Sequence, residues 1–309
     1  VIVVVDSSSE TLYEVFSLYN LNVVQRHSLQ VEDYDVSQYE EIGDGSTSKV
    51  YKIDDRRVIK VFDASCTRED IVNEFQISRV VHRLGIPSVD SFKLATAGEL
   101  TGIVSEYAVS RTLSEVMRLN VANFEKCIEL QIDFMKLVNS IKMDTKILPS
   151  GKDIFRKWYD RLEEIVQERP GMIEPKNMQI TKAIVEAIPE RNTFVHNDFA
   201  ASNLFINKKR ELMLVDLGAA CYGHPIMDAA MVLASYRLTR TPKEEKITGI
   251  FSENKDAAID AFFRTYFFDA RPEAMPIIKD AMTTAAIVRH VLFYGRGFAN
   301  FDDYVGIAN

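Results

Sequence analysis

The spacing of apolar and polar residues changes character partway along the chain. In its first third, apolar side chains come in short runs or alternate with polar ones, as in strands with one buried face. Glu41-Ile42-Gly43-Asp44-Gly45-Ser46-Thr47-Ser48-Lys49-Val50-Tyr51-Lys52-Ile53 reads as strand, glycine turn, strand, and Val58-Ile59-Lys60-Val61-Phe62 as the next strand. Residues 68–81 switch to helical spacing, with Thr67 placed to cap the helix and Asp70 to complete a capping box. Leu84-Gly85-Ile86-Pro87 ends that helix, and 91–94 and 101–107 read as further strands. From about Leu113 the pattern becomes helical, with helices predicted over 121–142, 153–167, 177–188, 225–236, 256–268 and 276–294. One hairpin interrupts them: strands 204–207 and 212–215 around Lys208-Lys209-Arg210. Trp158, the only tryptophan, is expected to pack in the helical core.

Chemistry concentrates around that hairpin. His196-Asn197-Asp198-Phe199-Ala200-Ala201-Ser202-Asn203 and then Leu214-Val215-Asp216-Leu217-Gly218 place an Asp, an Asn five residues on, and a second Asp thirteen residues later. Phosphoryl transfer uses such a set: one carboxylate orients the acceptor hydroxyl, and an amide oxygen and a second carboxylate hold magnesium against the triphosphate. The hairpin would bring Asn203 and Asp216 to the same end of its two strands.

These motifs resemble the protein-kinase-like fold, and more closely its aminoglycoside and choline phosphotransferase branch. The resemblance implies an α+β, two-lobed molecule, with a small antiparallel β lobe over 38–107 and a larger α-rich lobe over 108–309. It implies that Gly43, Gly45 and Ser46 lie at the nucleotide phosphates, with Ser48 in place of a third glycine. Lys60 would bridge the α and β phosphates. Glu74 would hold it, since the rival acids Glu69 and Asp70 lie in the first helical turn, where acids are expected anyway. Backbone groups of Glu106, Tyr107 and Ala108 would bind adenine. Asp198 would be the catalytic base, and Asn203 and Asp216 the Mg²⁺ ligands. The implied cofactors are ATP or GTP with Mg²⁺, and the implied partner is a small-molecule hydroxyl acceptor, aminoglycoside-, choline- or sugar-like.

The segment after Asp216 separates the branches. A protein kinase follows its metal-binding Asp with a long activation segment ending in Ala-Pro-Glu. Here Gly218-Ala219-Ala220-Cys221-Tyr222-Gly223-His224-Pro225-Ile226-Met227-Asp228 leads almost directly into a helix, like the G-x-P-x-x-D-L-A segment of small-molecule phosphotransferases. Asp228 could brace the catalytic loop or interact with a helix dipole. His196 reads as a loop support and His224 as structural. Asn197 resembles the His-Asn-Asp of choline and ethanolamine kinases. Ala200 stands where serine/threonine kinases carry Lys and aminoglycoside kinases frequently His, which leaves the acceptor's identity open.

Composition narrows the partners. The 309 residues carry a formal net charge of −8, without the basic stripe that nucleic acid requires. That acidity suits a cationic acceptor. Cys66, Cys127 and Cys221 are scattered and odd in number, as in a reducing cytoplasm rather than a disulfide framework. No apolar run is long enough to span a bilayer. The chain opens on Val1 rather than Met, as a fragment or trimmed chain would. Residues 1–37 read as a strand-helix-strand extension that is similar, over about 25 residues, to the tail of a STAS-type domain. The aromatic and acidic stretch 294–304 reads as packing, or as the lining of a cationic-acceptor site. Two rival readings are a nucleotide-binding regulatory module, which a complete STAS domain would favour, and an atypical protein kinase.

Overall fold

The computed structural model describes residues 32–45, 47–108 and 110–294. The strand-helix-strand expected at the N-terminus, Ser46 and the 295–304 stretch lie outside them. The chain forms two units: one of residues 1–109 with 213–218, the other of 110–212 with 219–309.

The first unit is built on a six-stranded sheet. Its strands are β1 (Glu32–Asp33), β2 (Glu40–Asp44), β3 (Ser48–Lys52), β4 (Arg57–Phe62), β5 (Ser91–Ala97) and β6 (Leu100–Glu106), in the order β1-β5-β6-β4-β3-β2. All neighbours are antiparallel except β1, which runs parallel to β5 with Glu32 opposite Ala95. Residues of the expected extension thus join this sheet, and Tyr34 is buried in its core with Ile59, Val61, Ala95 and Val104. The helix α1 (Arg68–Arg83) covers the other face through Ile71 and Phe75, against Phe62 and Ile103. Alternation along β4 puts Lys60 on the Phe62 face, the one that α1 covers. Thr67 caps α1 by accepting from the Asp70 amide at 3.1 Å. Asp70 meets the Thr67 hydroxyl at 2.6 Å rather than the Thr67 amide, so the cap lacks the reciprocal bond of the expected box.

The second unit is mostly helical. It opens with β7 (Arg111–Thr112) and α2 (Leu113–Leu119), whose Thr112 and Glu115 form a complete capping box. The long helix expected over 121–142 is a 3₁₀ turn at Val121–Asn123 followed by α3 (Phe124–Asn139). It stops there because the next residues bond elsewhere: the Met143 amide donates to Asn192 O and the Phe194 amide to Ile141 O. Next come α4 (Gly151–Glu168), α5 (Pro175–Ala187), β8 (Thr193–Val195) and β9 (Leu204–Ile206). After β10 (Leu212–Leu214), β11 (Cys221–Gly223) pairs antiparallel with β8. Four helices complete the described chain: α6 (Ile226–Leu238), α7 (Pro242–Thr248), α8 (Lys255–Tyr266) and α9 (Met275–Tyr294). One core joins Phe155, Tyr159 and Leu162 of α4 to Val195, Cys221, Met227 and to Val288, Val291 and Leu292 of α9. Neither β8, β11 nor α7 was expected. The first two are three-residue strands without a readable period, whereas Thr241-Pro242 with Glu244 is a helix start that the sequence carries openly. No described helix is long and apolar enough to cross a membrane.

Candidate active site

In the first unit, Lys60, Glu74 and Asp216 converge. Lys60 Nζ donates to Glu74 Oε1 at 2.7 Å and to Asp216 Oδ1 at 2.9 Å. Burial opposes charge on Lys60, but the two carboxylates outweigh it and hold the ammonium above its usual range. Burial, reinforced by Asp216, raises the Glu74 carboxyl, and the Lys60 charge works against that rise. Asp216 adopts a left-handed φ of 59°, which an Asp tolerates better than most residues. Two residues on, Gly218 leaves room for Glu74: a Cβ there would stand 2.9 Å from Glu74 Oε2. Leu214, two residues before Asp216, is tied to the α1–β5 connection, where its amide donates to Pro87 O and its carbonyl accepts from the Val89 amide.

Gly43 ends β2 at a register shift, and the Gly45 amide closes the turn onto Ser48 O at 2.8 Å. In the predicted adenine segment, the Glu106 amide donates to Asp90 O and the Tyr107 amide to Arg56 O, both at 2.8 Å. Those two N–H groups are engaged within the protein. Lys52 Nζ lies 5.0 Å from the centre of the Tyr107 ring. The Ala108 backbone continues from this segment.

In the second unit the loop after β8 carries Asp198 and Asn203. Asn203 Nδ2 donates to the Asp198 carboxylate and to the Asp198 carbonyl, each at 3.0 Å. This amide therefore turns its nitrogen to Asp198 and keeps its oxygen as the remaining acceptor. The Asp198 amide donates to His196 Nδ1 at 3.2 Å. Asp228 is fully buried and accepts from the His196 amide at 2.9 Å, the Asn197 amide at 2.7 Å and Asn139 Nδ2 at 2.8 Å. Burial pushes its carboxyl up, and the His196 ring and these three donors pull it back. Of the two readings of Asp228, the bonds support the loop brace. Asn197 stands at φ 64°, a left-handed conformation stored beside Asp198. His224 accepts the Ile226 amide at the start of α6.

The sequence reading missed three supports of this loop. Asn139 also donates to Phe194 O at 2.9 Å, Gln131 donates to Phe199 O at 3.0 Å, and Tyr236 donates to Gln131 Oε1 at 2.7 Å. Gln131 and Asn139 sit on the buried stripe of α3 with Ile128, Ile132 and Met135. A polar residue repeating on an apolar stripe was the available signal.

Magnesium takes oxygen ligands from one or two protein groups and fills the rest of its shell with phosphate oxygens and water; of the expected ligands, Asp216 lies in the first unit and Asn203 in the second. Asp216 offers a carboxylate and Asn203 an amide oxygen. Among the described residues no group of three or more His, Cys, Asp or Glu side chains forms a dedicated cage.

The sequence profile of APH, the phosphotransferase enzyme family, matches residues 38–276. The chain belongs to that family. A comparison with curated proteins finds no match. Among solved structures, this phosphotransferase is similar to a thermostable mutant of aminoglycoside phosphotransferase APH(4)-Ia in its apo form, at 16% identity and TM-score 0.58, covering 87% of this chain and 92% of that one. It is similar to APH(2")-IIa in complex with gentamicin at 16% identity and TM-score 0.58, covering 99% and 97%. A type VIII aminoglycoside-3'-phosphotransferase is similar at 16% identity and TM-score 0.52, covering 80% and 93%. Likeness at such identities speaks to the fold: a kinase-like mixed sheet with a helical lobe.

Proposed function

We propose that this phosphotransferase moves the γ-phosphate of ATP to a hydroxyl of a small, cationic molecule, with Asp198 as the catalytic base. The observation that carries this reading is the Lys60 ammonium held between Glu74 and Asp216. A half-buried lysine kept charged by two acids is a ready partner for phosphate oxygens. In this reading Lys60 contacts the α and β phosphates, Glu74 orients it, and Gly43, Gly45 and Ser46 let backbone amides approach the phosphates. Carbonyl oxygens of the 106–108 segment receive the base.

In the transfer, the acceptor O–H proton passes to the Asp198 carboxylate as the new O–P bond forms. The bond between the γ-phosphorus and the bridging oxygen breaks, and ADP leaves with that electron pair. The transition state is loose, so Asp198 mainly orients the hydroxyl and takes its proton late. Asn203 and Asp216 would hold Mg²⁺, which supplies positive charge against the phosphate oxygens. The solved structures of similar fold include APH(4)-Ia with ADP and hygromycin B, and APH(2")-IIa with streptomycin and ATP. Those complexes support a nucleotide donor and an amine-bearing acceptor here, and the net charge of −8 suits a cationic acceptor.

The test is Mg·ATP consumption against a panel of aminoglycosides, amino alcohols, sugars and protein acceptors, with Asp198→Ala as control. The expected result is turnover of one small cationic acceptor, lost in the variant. Nucleotide binding with no turnover above the Asp198→Ala background overturns the proposal in favour of a regulatory module. Turnover of the protein acceptors alone overturns it in favour of a protein kinase.

A further inference from the structure

Arg289 has no part in the chemistry above, yet it is one of the most enclosed cations among the described residues, with 2% of its surface exposed. Its guanidinium carbon lies 4.9 Å from the ring centres of both Trp158 and Phe293, and 5.7 Å from Phe155. Phe155 and Trp158 stack on each other, and Phe293 meets Trp158 edge-on. A planar cation against aromatic faces is held in orientation as well as in place. From this cage Arg289 Nη2 donates to Asn197 O at 2.5 Å.

That carbonyl belongs to the peptide group that also carries the Asp198 amide. The two preceding peptide groups present their N–H bonds, those of His196 and Asn197, to Asp228. Three consecutive peptide groups leading into Asp198 are thus fixed, two by a buried anion on α6 and one by a buried cation on α9. Asn197 needs such external support. It is 1% exposed, sits at φ 64°, and among the described residues neither its side-chain oxygen nor its nitrogen has a hydrogen-bond partner. Its side chain therefore does not hold the left-handed conformation, and the bonds to its backbone do.

We propose that Arg289 is a positioning residue: its aromatic cage and its bond to the Asn197 carbonyl set the peptide that aims Asp198 at the acceptor hydroxyl. This rests on the phosphotransfer reading of Asp198. Arg289 acts on the geometry of the transfer step and not on substrate affinity, which separates it from a residue that only stabilises the fold.

The experiment compares wild type, Arg289→Met and Arg289→Lys by steady-state kinetics with the acceptor found in the panel, and by hydrogen exchange on the peptide covering 193–204. Arg289→Met keeps the apolar stem and removes the donor. It should lower kcat roughly tenfold or more while leaving KM for nucleotide and acceptor nearly unchanged. Exchange in 193–204 should accelerate by about the same factor, while peptides of α4 and α5 keep wild-type exchange. Arg289→Lys, which restores one donor without the planar fork, should recover part of kcat. Wild-type kcat in Arg289→Met, wild-type exchange in 193–204, or a loss confined to KM overturns the proposal. Should Arg289→Met fail to fold, Trp158→Leu loosens the cage and leaves the guanidinium in place. That variant should show the same local exchange signature with a smaller loss in kcat, and unchanged exchange there overturns the proposal equally. Absence of Asp198-dependent turnover in wild type overturns the phosphotransfer reading itself, a result distinct from a failure of Arg289→Met to differ from an active wild type.

Discussion

Lys60 and Asp216 are bonded directly, Nζ to Oδ1 at 2.9 Å, across 156 residues of chain. The same ammonium binds Glu74 at 2.7 Å, and the three side chains are 21%, 47% and 14% exposed in the order Lys60, Asp216, Glu74. The more open carboxylate, Asp216, is the proposed Mg²⁺ ligand. In the proposed reading, phosphate oxygens would take the place of Asp216 on Lys60 while Glu74 stays. Lys60→Met should lower kcat/KM by roughly 10²–10³, the usual scale for losing one preorganised electrostatic contact. Lys60→Arg should not restore it, since a planar fork cannot replace a compact ammonium between two carboxylates. Steady-state kinetics with Mg·ATP checks both, and near-wild-type turnover in either variant would remove Lys60 from the site.

Gly218→Ala tests the same cluster through packing. The new Cβ would come within 2.9 Å of Glu74 Oε2 and 3.3 Å of its Cδ and Cγ. The clash falls on the far end of a side chain, so Glu74 can move, and a shift of its carboxylate disturbs the bond that Oε1 makes to Lys60. Activity should therefore fall about tenfold, while stability changes by no more than ~1–2 kcal/mol. A double-mutant cycle with Glu74→Gln should be strongly non-additive, because each change disrupts the same bond. Additive losses would mean that Gly218 acts elsewhere.

The parts of the site that read from sequence are those set by local context and motif order. Glu69 and Asp70 lie in the first helical turn, where acids are expected anyway, which leaves Glu74, and Lys60 stands between apolar residues of a short strand after the glycine turn. The loop supports did not read, because each joins residues far apart: Asn139 to Asp228 across 89 positions, Gln131 to Phe199 across 68, and Arg289 to Asn197 across 92. Asp228 shows the limit most clearly. At the start of a helix an acid fits the dipole, and only the backbone amides of His196 and Asn197 arriving from β8 distinguish a brace from a cap. The amides of Glu106 and Tyr107 make the same point, since their partners Asp90 and Arg56 lie just before β5 and β4 and no motif announces them.

Two glycines with similar backbone angles should respond very differently to alanine. Gly249 ends α7 at φ 76°, and a Cβ there would stand 2.7 Å from Ser114 Cα and 2.8 Å from Ser114 O, both backbone atoms of α2. Gly171 has φ 87° and open space where its Cβ would go. Gly171→Ala should cost only the left-handed penalty, about 1–2 kcal/mol. Gly249→Ala adds a backbone collision, for a total of roughly 3 kcal/mol or more. Urea denaturation of the two variants side by side measures the difference, and equal losses would contradict the close approach of α7 to α2.

His290 should make stability depend on pH in one direction only. Burial, with Arg289 and Arg240 adding to it, depresses its pKa to about 3, against an ordinary value of 6.5. Above pH 6.5 the ring is neutral in both folded and unfolded chains and contributes no slope. Between 6.5 and about 3 the unfolded chain takes up a proton that the folded chain refuses, so stability falls as pH falls. The slope from one such group is at most ~1.4 kcal/mol per pH unit, which amounts to about 2 kcal/mol between pH 7.5 and pH 5. His290→Gln removes the titration and should lose about that much less stability over the same interval. Urea midpoints for both proteins at the two pH values test this. Parallel losses in wild type and variant would show that His290 takes its proton in the folded state as readily as in the unfolded one.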